Sequence, residues 1–256
     1  MNTFEINDPD YEKNKPFYDS LKVGPKTMTP LTLAITTYNR YDMTLESFSK
    51  IVDHPRIDEI LIIDDASPMD IFQKLADSLR DKPKVRLYRQ LDNRGMQQNK
   101  ADAVAFSKND WVILFDSDNI LSEEYINAIP EVLSPEVIYV PSFASPSFDM
   151  GELAGKMIDR HTAKLYYNLP CFGWFLNVCN YVVNREQYSK AYRYDKSIKG
   201  TDTSFFAHNW MLSGNRFFVM PGAKYEHRVH KGSEFLKDMP YNMNKANEIL
   251  AQIKLL

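Results

Sequence analysis

Two aspartates separated by one serine, Asp116 and Asp118, directly follow the apolar run WVILF (111–115). Carboxylates at positions i and i+2, where a strand gives way to a loop, can both reach one hard divalent cation. Mg²⁺ or Mn²⁺ held in this way stabilises a departing phosphate as a Lewis acid. The alternative is that both aspartates are ordinary turn or helix-cap residues. Their position after the most apolar predicted strand favours the cation site.

The elements that position these carboxylates are strands and helices in alternation. We predict strands over 31–38, 59–64, 84–89, 111–116 and 136–143, and helices over 42–52, 69–80, 96–108 and 122–133. This order indicates βαβ units and a mostly parallel central sheet covered by helices on both faces. The more aromatic second half predicts a smaller mixed part with a helix over 199–214, a strand over 216–220 and a last helix over 242–256.

The ends of three predicted strands are polar. In an open parallel sheet, ligands bind beyond the carboxyl ends of the strands, so these residues are expected to share one crevice. They are Thr36, Thr37, Tyr38 and Asn39 after the first strand, Asp64 and Asp65 after the second, and Asp116, Ser117 and Asp118 after the fourth. The crevice suits a ligand that has hydrogen-bond donors and, through a metal, phosphates.

Composition excludes several classes of protein. A net charge of −3 and a pI near 6.0 give no bulk attraction to nucleic acid. The two cysteines lack metal-site spacing and predict no disulfide scaffold. The acidic N-terminus does not resemble a secretory signal, and no window is apolar enough to span a bilayer. We therefore expect a soluble, cytoplasmic protein, in contact with the inner face of a membrane only at its periphery.

Four successive motifs resemble those of family 2 glycosyltransferases with the GT-A fold. They are AITTYNR (34–40), ILIIDDAS (60–67), DNRGMQQNKADA (92–103) and FDSDNIL (115–121), and the resemblance extends over about residues 30–235. It implies an N-terminal extension (1–29), a GT-A domain (30–235) and a C-terminal helical tail (236–256). Within the domain, residues 30–120 would form the nucleotide-binding half and 121–235 the acceptor-binding half.

The resemblance also implies roles for residues of the first half. Asp116 and Asp118 match the Asp-Xaa-Asp metal motif, with Asp118 as the direct ligand of Mn²⁺ or Mg²⁺ and Asp116 beside the nucleotide. The other residues expected to bind the nucleotide are Thr36, Tyr38, Asp65, which would face the base, and Lys100.

The second half supplies the expected catalytic base. Asp202, in KGTDTSFF (199–206), takes the place of the family's acidic residue at a helix start, although Thr201 stands where a second acidic residue is common. Asp202 would accept the proton of the attacking hydroxyl, unless it merely caps the helix. His227 and His230 follow a probable strand, and of the two His227 better resembles a tail histidine that completes the metal shell. Its neighbour Arg228 could neutralise a diphosphate. Trp174 is a candidate for stacking on the acceptor sugar.

These features predict a metal-dependent, inverting glycosyltransferase. It would move a sugar from a nucleoside diphosphate donor, with UDP the nucleotide that family habit favours, to a hydroxyl of a glycan or glycolipid. One alternative is a haloacid-dehalogenase-like phosphatase, but that class places its Asp-Xaa-Asp after the first strand rather than the fourth. The other is a GT-A domain that binds nucleotide or glycan without turnover. The donor sugar and the acceptor do not follow from the sequence.

Overall fold

A computed structural model describes residues 12, 14, 15, 19, 28–177, 179–230 and 232–256 of the chain. Strands and helices alternate through the first half, as predicted. The elements are β1 (Leu31–Thr37), α1 (Tyr41–Ser47), β2 (Ile57–Asp64), α2 (Met69–Leu79), β3 (Val85–Arg89), α3 (Met96–Phe106), β4 (Trp111–Asp116) and α4 (Glu123–Asn127). These bounds place every strand of the first half within two residues of its predicted start and end.

The second half is less regular. It contains β5 (Val137–Ser145), β6 (Phe148–Asp149), a 3₁₀ turn (Gly151–Leu153), β7 (Met157–Ile158), α5 (Ala163–Tyr166), α6 (Phe172–Leu176), β8 (Tyr181–Asn184) and α7 (Arg185–Ala191). It continues with α8 (Asp202–Leu212), β9 (Arg216–Glu226), α9 (Glu234–Lys237) and α10 (Met239–Lys254). Short helices and two-residue strands therefore make up the mixed part that the sequence predicts.

The strands form one sheet in the order β3-β2-β1-β4-β8-β5-β9-β7, and β6 pairs with β5. Strands β1 to β4 pair in parallel, whereas β8 runs antiparallel to both β4 and β5. Beyond it, β9 again runs parallel to β5. The mostly parallel α/β architecture is thus confirmed, with the antiparallel strands confined to the second half.

Both faces of the sheet are buried. Alternate residues of a strand point to opposite faces, and in β1 Ala34 packs into one apolar cluster while Leu33 and Ile35 pack into the other. In β4, Val112 and Leu114 alternate with their neighbours in the same manner. Helices cover the two clusters, which explains why the central strands are continuously apolar.

Two helices end at least five residues earlier than predicted. Helix α1 ends at Ser47, because the hydroxyls of Ser47 and Ser49 donate to the carbonyls of Thr44 and Glu46 and thereby compete with the helical backbone. Helix α4 ends at Asn127, because Ile129 precedes Pro130 and that position disfavours the helical conformation. The apolar spacing beyond each end comes from buried turns, not from helix.

Strand β9 is longer than predicted because Pro221 and Gly222 lie inside it. A register shift falls opposite them in β5, between Pro141 and Phe143, and Gly222 has a φ of +75°. A bulge of this kind accepts proline, which has no N–H, and glycine, which tolerates positive φ. The strand then continues to Glu226 and delivers the following histidines to the carboxyl edge of the sheet.

The predicted N-terminal extension lies largely outside the described residues. Of its described members, Asn14 is buried, and its Oδ1 accepts a hydrogen bond of 2.6 Å from the guanidinium of Arg216. Arg216 also pairs with Glu136. In the described part of the chain, no helix has both the length and the apolar character needed to cross a membrane.

Candidate active site

The crevice lies where the strand order of the sheet reverses. Strand β1 lies between β2 and β4, so the connections leave β1 on opposite sides, which is the usual place for a ligand in such a sheet. In the register, Thr36 faces Asp116 and Thr37 faces Asp64. The Thr36 hydroxyl lies 3.5 Å from Oδ1 of Asp116. The predicted convergence of these strand ends is therefore confirmed.

Lys100 joins Asp116 to Asp202. Its Nζ lies 2.9 Å from Oδ2 of Asp202 and 3.4 Å from Oδ1 of Asp116. Lys100 and Asp202 are both buried, with 5% and 8% of their surface exposed. The expected catalytic carboxylate and the first carboxylate of the Asp-Xaa-Asp motif thus share one ammonium group.

The charges of this group depend on one another. Burial opposes the charge on Lys100, but the negative fields of Asp116 and Asp202 outweigh it and hold the pKa of Lys100 well above its ordinary value. Burial raises the pKa of Asp116, and the field of Lys100 opposes that rise. Lys100 is therefore a permanent cation, and its charge helps to keep Asp116 ionised.

Neither aspartate of the motif caps a helix. The N-cap of α4 is Ser122, whose side chain accepts from the N–H of Tyr125. Asp202 is the first residue of α8, whose N-cap Thr201 makes no side-chain cap hydrogen bond, and the Asp202 carboxylate goes to Lys100 instead. The capping alternatives do not account for any of these three carboxylates.

Asp118 is held by the side chains of Arg40 and His230. Its Oδ2 lies 3.0 Å from a guanidinium nitrogen of Arg40 and 3.0 Å from Nε2 of His230. The peptide N–H of Asp116 donates to Oδ1 of buried Asn180, at 2.9 Å. The loop after β4 is therefore fixed from both sides.

Arg228 holds the same loop through its backbone. Its Nε donates to the carbonyl of Asp118 at 2.5 Å, and its guanidinium pairs with Glu46 of α1. The Arg228 N–H also donates to Oδ1 of Asn119. Sequence reasoning proposed Arg228 as a partner of diphosphate, but in this structure its side chain serves as a clamp between α1 and the Asp-Xaa-Asp loop.

His227 lies next to the carboxylates without bonding to them. Its buried Nδ1 has no hydrogen-bond partner, and its ring packs edge-on against Phe148 at 5.0 Å between centroids. Burial lowers the pKa of His227, although the fields of Asp118 and Asp116 oppose this. The imidazole is accordingly neutral near pH 7, which is the form that binds metals.

The donor chemistry of the site fits a divalent cation. Asp116 and Asp118 offer carboxylate oxygens, and the unpartnered Nδ1 of His227 is a buried nitrogen that lacks a ligand. Among the described residues, no three histidine, cysteine, aspartate or glutamate side chains are already assembled as a cation site. Both Arg40 and His230 contact Oδ2 of Asp118.

Asp65 has a structural task. Its two oxygens accept the backbone N–H groups of Arg94 and Gly95, at 2.7 and 2.9 Å, and its carbonyl accepts from the side chain of Asn93. Burial raises the pKa of Asp65, and these two backbone bonds oppose the rise. Asp65 thus anchors the loop that leads into α3, where Gly95 has a φ of +79°.

The two candidate aromatic residues lie nearer the surface. Tyr38 follows β1 and is 47% exposed. Trp174 in α6 is 39% exposed and packs edge-on against Phe148, the same ring that contacts His227. The flanking Phe172 and Phe175 are core residues, as expected for most of this aromatic cluster.

Sequence reasoning missed Arg40 and Asn180 as members of the site. Arg40 carried a usable signal, because it is the first basic residue after the polar end of β1. Choosing His227 over His230 depended on spacing that the sequence does not fix. Nothing in the local pattern indicated Asn180, which reaches the loop only because β8 inserts beside β4.

Comparison with known proteins agrees with this geometry. Residues 32–211 match the family model described as glycosyl transferase family 2. The chain belongs to glycosyl transferase family 2, and it is therefore a member of a family of glycosyltransferases. No curated protein matches the sequence at a significant level.

Solved structures of glycosyltransferases share the fold. S. aureus TarS 1–349 in complex with UDP-GlcNAc has a TM-score of 0.64 at 15% identity, covering 88% of this chain and 66% of that one. The mannosyltransferase PcManGT from Pyrobaculum calidifontis, in complex with GDP-Man and Mn²⁺, has a TM-score of 0.59 at 16% identity and covers 95% and 77%. GalNAc-T7 with UDP, GalNAc and Mn²⁺ has a TM-score of 0.62 at 13% identity and covers 82% and 45%.

These similarities confirm the GT-A fold. The chain spans less than two thirds of the length of the TarS fragment without ligand, at 65%, and less than half of GalNAc-T7. At sequence identities of 13–16%, these similarities establish the fold, and the bound nucleotides and metals are properties of the neighbouring structures.

Proposed function

We propose that the protein is a metal-dependent, inverting glycosyltransferase that transfers a sugar from a nucleoside diphosphate donor to a hydroxyl of a glycan or glycolipid. The observation that carries this proposal is the sharing of one ammonium group, that of Lys100, by Asp116 and Asp202. Through this ammonium group, Asp202, which is suited to removing a proton, lies close to Asp116 of the motif that is suited to a metal-bound diphosphate. The family supplies the reaction type.

The leaving group would depart at the Asp-Xaa-Asp loop. Asp118 and Asp116 would hold a divalent cation, with His227 as a further ligand through its unpartnered Nδ1. A bound Mn²⁺ or Mg²⁺ supplies Lewis-acid stabilisation of the diphosphate. Arg228 keeps the carbonyl of Asp118 fixed while this happens, so the loop does not have to be ordered by the substrate.

Asp202 would act as the general base. It accepts the proton of the acceptor hydroxyl as that oxygen attacks the anomeric carbon, and the bond to the diphosphate breaks in the same displacement. A single displacement from the face opposite the nucleotide inverts the anomeric configuration. Asp202 suits this role because it is buried at the start of α8 and is not used as a cap.

The nucleotide would lie along the ends of β1 and β2, near Thr36, Tyr38 and Asp65. Complexes of structural neighbours with UDP-GlcNAc and with GDP-Man support a nucleoside diphosphate donor, and we favour UDP. The exposed ring of Trp174 would stack on the acceptor.

The test of this proposal is nucleotide release from UDP-GlcNAc and from GDP-mannose in the presence of Mn²⁺. The wild type is compared with Asp202→Asn, and with Asp81→Asn as a control at an exposed aspartate. We expect Asp202→Asn to lower turnover at least about 100-fold, the lower end of what a positioned base contributes, and to leave nucleotide binding intact. Turnover of Asp202→Asn at the wild-type rate would show that the base is another residue.

Two other classes are separated by the same assay. The phosphatase alternative is disfavoured because Asp116 follows the fourth strand and the family match covers residues 32–211. A non-catalytic GT-A domain would bind nucleotide but release none from a donor. In that case, the replacement of the family's common acidic residue by Thr201 would explain the lack of turnover.

A further inference from the structure

Lys100 makes contacts that a nucleotide-binding role does not require. We propose that Lys100 is a positioning residue for the base Asp202, holding its carboxylate against the Asp-Xaa-Asp loop, instead of being a ligand of the nucleotide. This inference rests on the proposed function and deepens it.

Lys100 connects three separate elements. It belongs to α3, its partner Asp202 begins α8, and Asp116 ends β4. The ion pair uses Oδ2 of Asp202, so the geometry assigns the incoming proton to Oδ1. Because Lys100 and Asp202 are 102 residues apart in sequence, this contact fixes the acceptor half against the nucleotide half.

Neighbouring side chains of α3 attach the helix around Lys100 to other parts of the fold. One turn earlier, the side-chain amide of Gln97 donates to the carbonyls of Asp195 and Ile198, at 2.8 and 2.7 Å, in the segment that precedes α8. The adjacent Asn99 donates to the carbonyl of Ile63 in β2. The helix that carries Lys100 is therefore tied both to the segment that precedes α8 and to β2.

The ammonium group of Lys100 also offsets the repulsion between two carboxylates. Asp116 and Asp202 would repel each other in a site shielded from water, and the side chain of either could rotate away. A cation between them removes that tendency. A buried lysine in this position keeps the carboxylate of Asp202 correctly aimed before any substrate arrives.

The experiment compares Lys100→Ala and Lys100→Arg with the wild type, and with Lys108→Ala, which removes an exposed lysine just beyond the same helix. Binding of UDP and GDP with Mn²⁺ is measured by calorimetry, and turnover by nucleotide release from UDP-GlcNAc and GDP-mannose. Lys100 and Asp202 line one small cavity together with Tyr188 and Tyr192, and truncation of Lys100 to alanine would enlarge it by the volume of the lost side chain. Propylammonium is therefore added to Lys100→Ala as a chemical substitute for the lost side chain.

We expect Lys100→Ala to bind the nucleotide as the wild type does while its kcat falls about 100-fold, because the base is lost from its working position. Propylammonium should restore part of that kcat, and Lys100→Arg should keep part of it. Lys108→Ala should match the wild type in both measurements.

Two outcomes would overturn the assignment alone. One is a loss of nucleotide affinity in Lys100→Ala as large as in Asp118→Ala, which would make Lys100 a nucleotide or diphosphate ligand. The other is an unchanged kcat in Lys100→Ala. A wild type that turns over neither donor and binds no nucleoside diphosphate with Mn²⁺ overturns the proposed function first, and the role of Lys100 with it.

Discussion

Thr36 and Asp116 are register partners across β1 and β4, and the Thr36 hydroxyl lies 3.5 Å from Oδ1 of Asp116. The polar end of the first strand therefore meets the metal motif directly at the point where strand order reverses. This contact links the surface expected to hold the nucleotide to the carboxylates expected to hold the diphosphate.

Removing the Thr36 hydroxyl should weaken that link without disturbing the strand. Thr36→Val keeps the β-branched shape and loses one hydrogen bond, worth about 1 kcal/mol. We expect kcat/KM for the donor to fall about fivefold in steady-state kinetics, and the Tm to fall by no more than about 4 °C in thermal melts. A larger fall in Tm with an unchanged kcat/KM would mean that Thr36 acts in folding instead.

Asp65 should prove to be a structural residue whether or not it also touches a base. Asp65→Asn replaces one carboxylate oxygen by an amide N–H that faces the N–H of Arg94 or Gly95. We expect the free energy of unfolding to fall by about 2 kcal/mol, measured by denaturant unfolding. Asp92→Asn, an exposed aspartate of the same loop, is the control and should be neutral. Equal stability of the two variants would contradict the anchoring role.

The clamp between Arg228 and Glu46 can be measured as a coupling. The single variants Arg228→Met and Glu46→Gln are combined in a double-mutant cycle. Because Glu46 is 57% exposed, the ion pair itself should contribute at most about 0.5 kcal/mol of coupling in stability. Arg228→Met should nevertheless weaken Mn²⁺-dependent nucleotide binding, since it also releases the carbonyl of Asp118, whereas Glu46→Gln should have little effect. Equal binding losses in the two variants would contradict this division.

Acid should destabilise the protein partly through His227. Burial lowers the pKa of His227 below its ordinary 6.5, so the unfolded chain takes up a proton in a range of pH where the folded protein does not. Above about pH 6.5 the titration of His227 does not change the free energy of unfolding. As pH falls below this value, protonation of His227 in the unfolded chain lowers the free energy of unfolding. His227→Phe keeps the packing against Phe148 and removes the titration.

The measurement is Tm from pH 5 to 8 for both proteins with a chelator present. The advantage of His227→Phe over the wild type should grow as pH falls. Parallel curves would show that His227 titrates alike in the folded and unfolded states.

The first half of the fold was predictable from sequence because its central strands are buried on both faces. Runs such as WVILF before Asp116 permit few alternatives, and the parallel order then forces Thr36, Asp64 and Asp116 to one edge. The ends of α1 and α4 were wrong because apolar spacing continues into turns that hydroxyls and Pro130 impose.

The partners within the site were not predictable to the same degree. Lys100 meets Asp202 only after 102 intervening residues have folded, and the choice between His227 and His230 depends on the path of the chain beyond β9. Asp65 follows β2, as predicted, but strand periodicity gives no sign of the loop that it anchors. Such contacts are tertiary, and local pattern carries no information about them.

The central claim is that Asp116 and Asp118 hold a cation against a nucleoside diphosphate. The most direct test is a thermal-shift panel of UDP, GDP, CDP and dTDP, each with and without Mn²⁺, on the wild type, Asp118→Ala and the control Asp81→Ala. We predict that one nucleotide raises the Tm of the wild type and of Asp81→Ala only when Mn²⁺ is present, and that Asp118→Ala shows no such rise. A rise that needs no metal, or one that persists in Asp118→Ala, would contradict the claim.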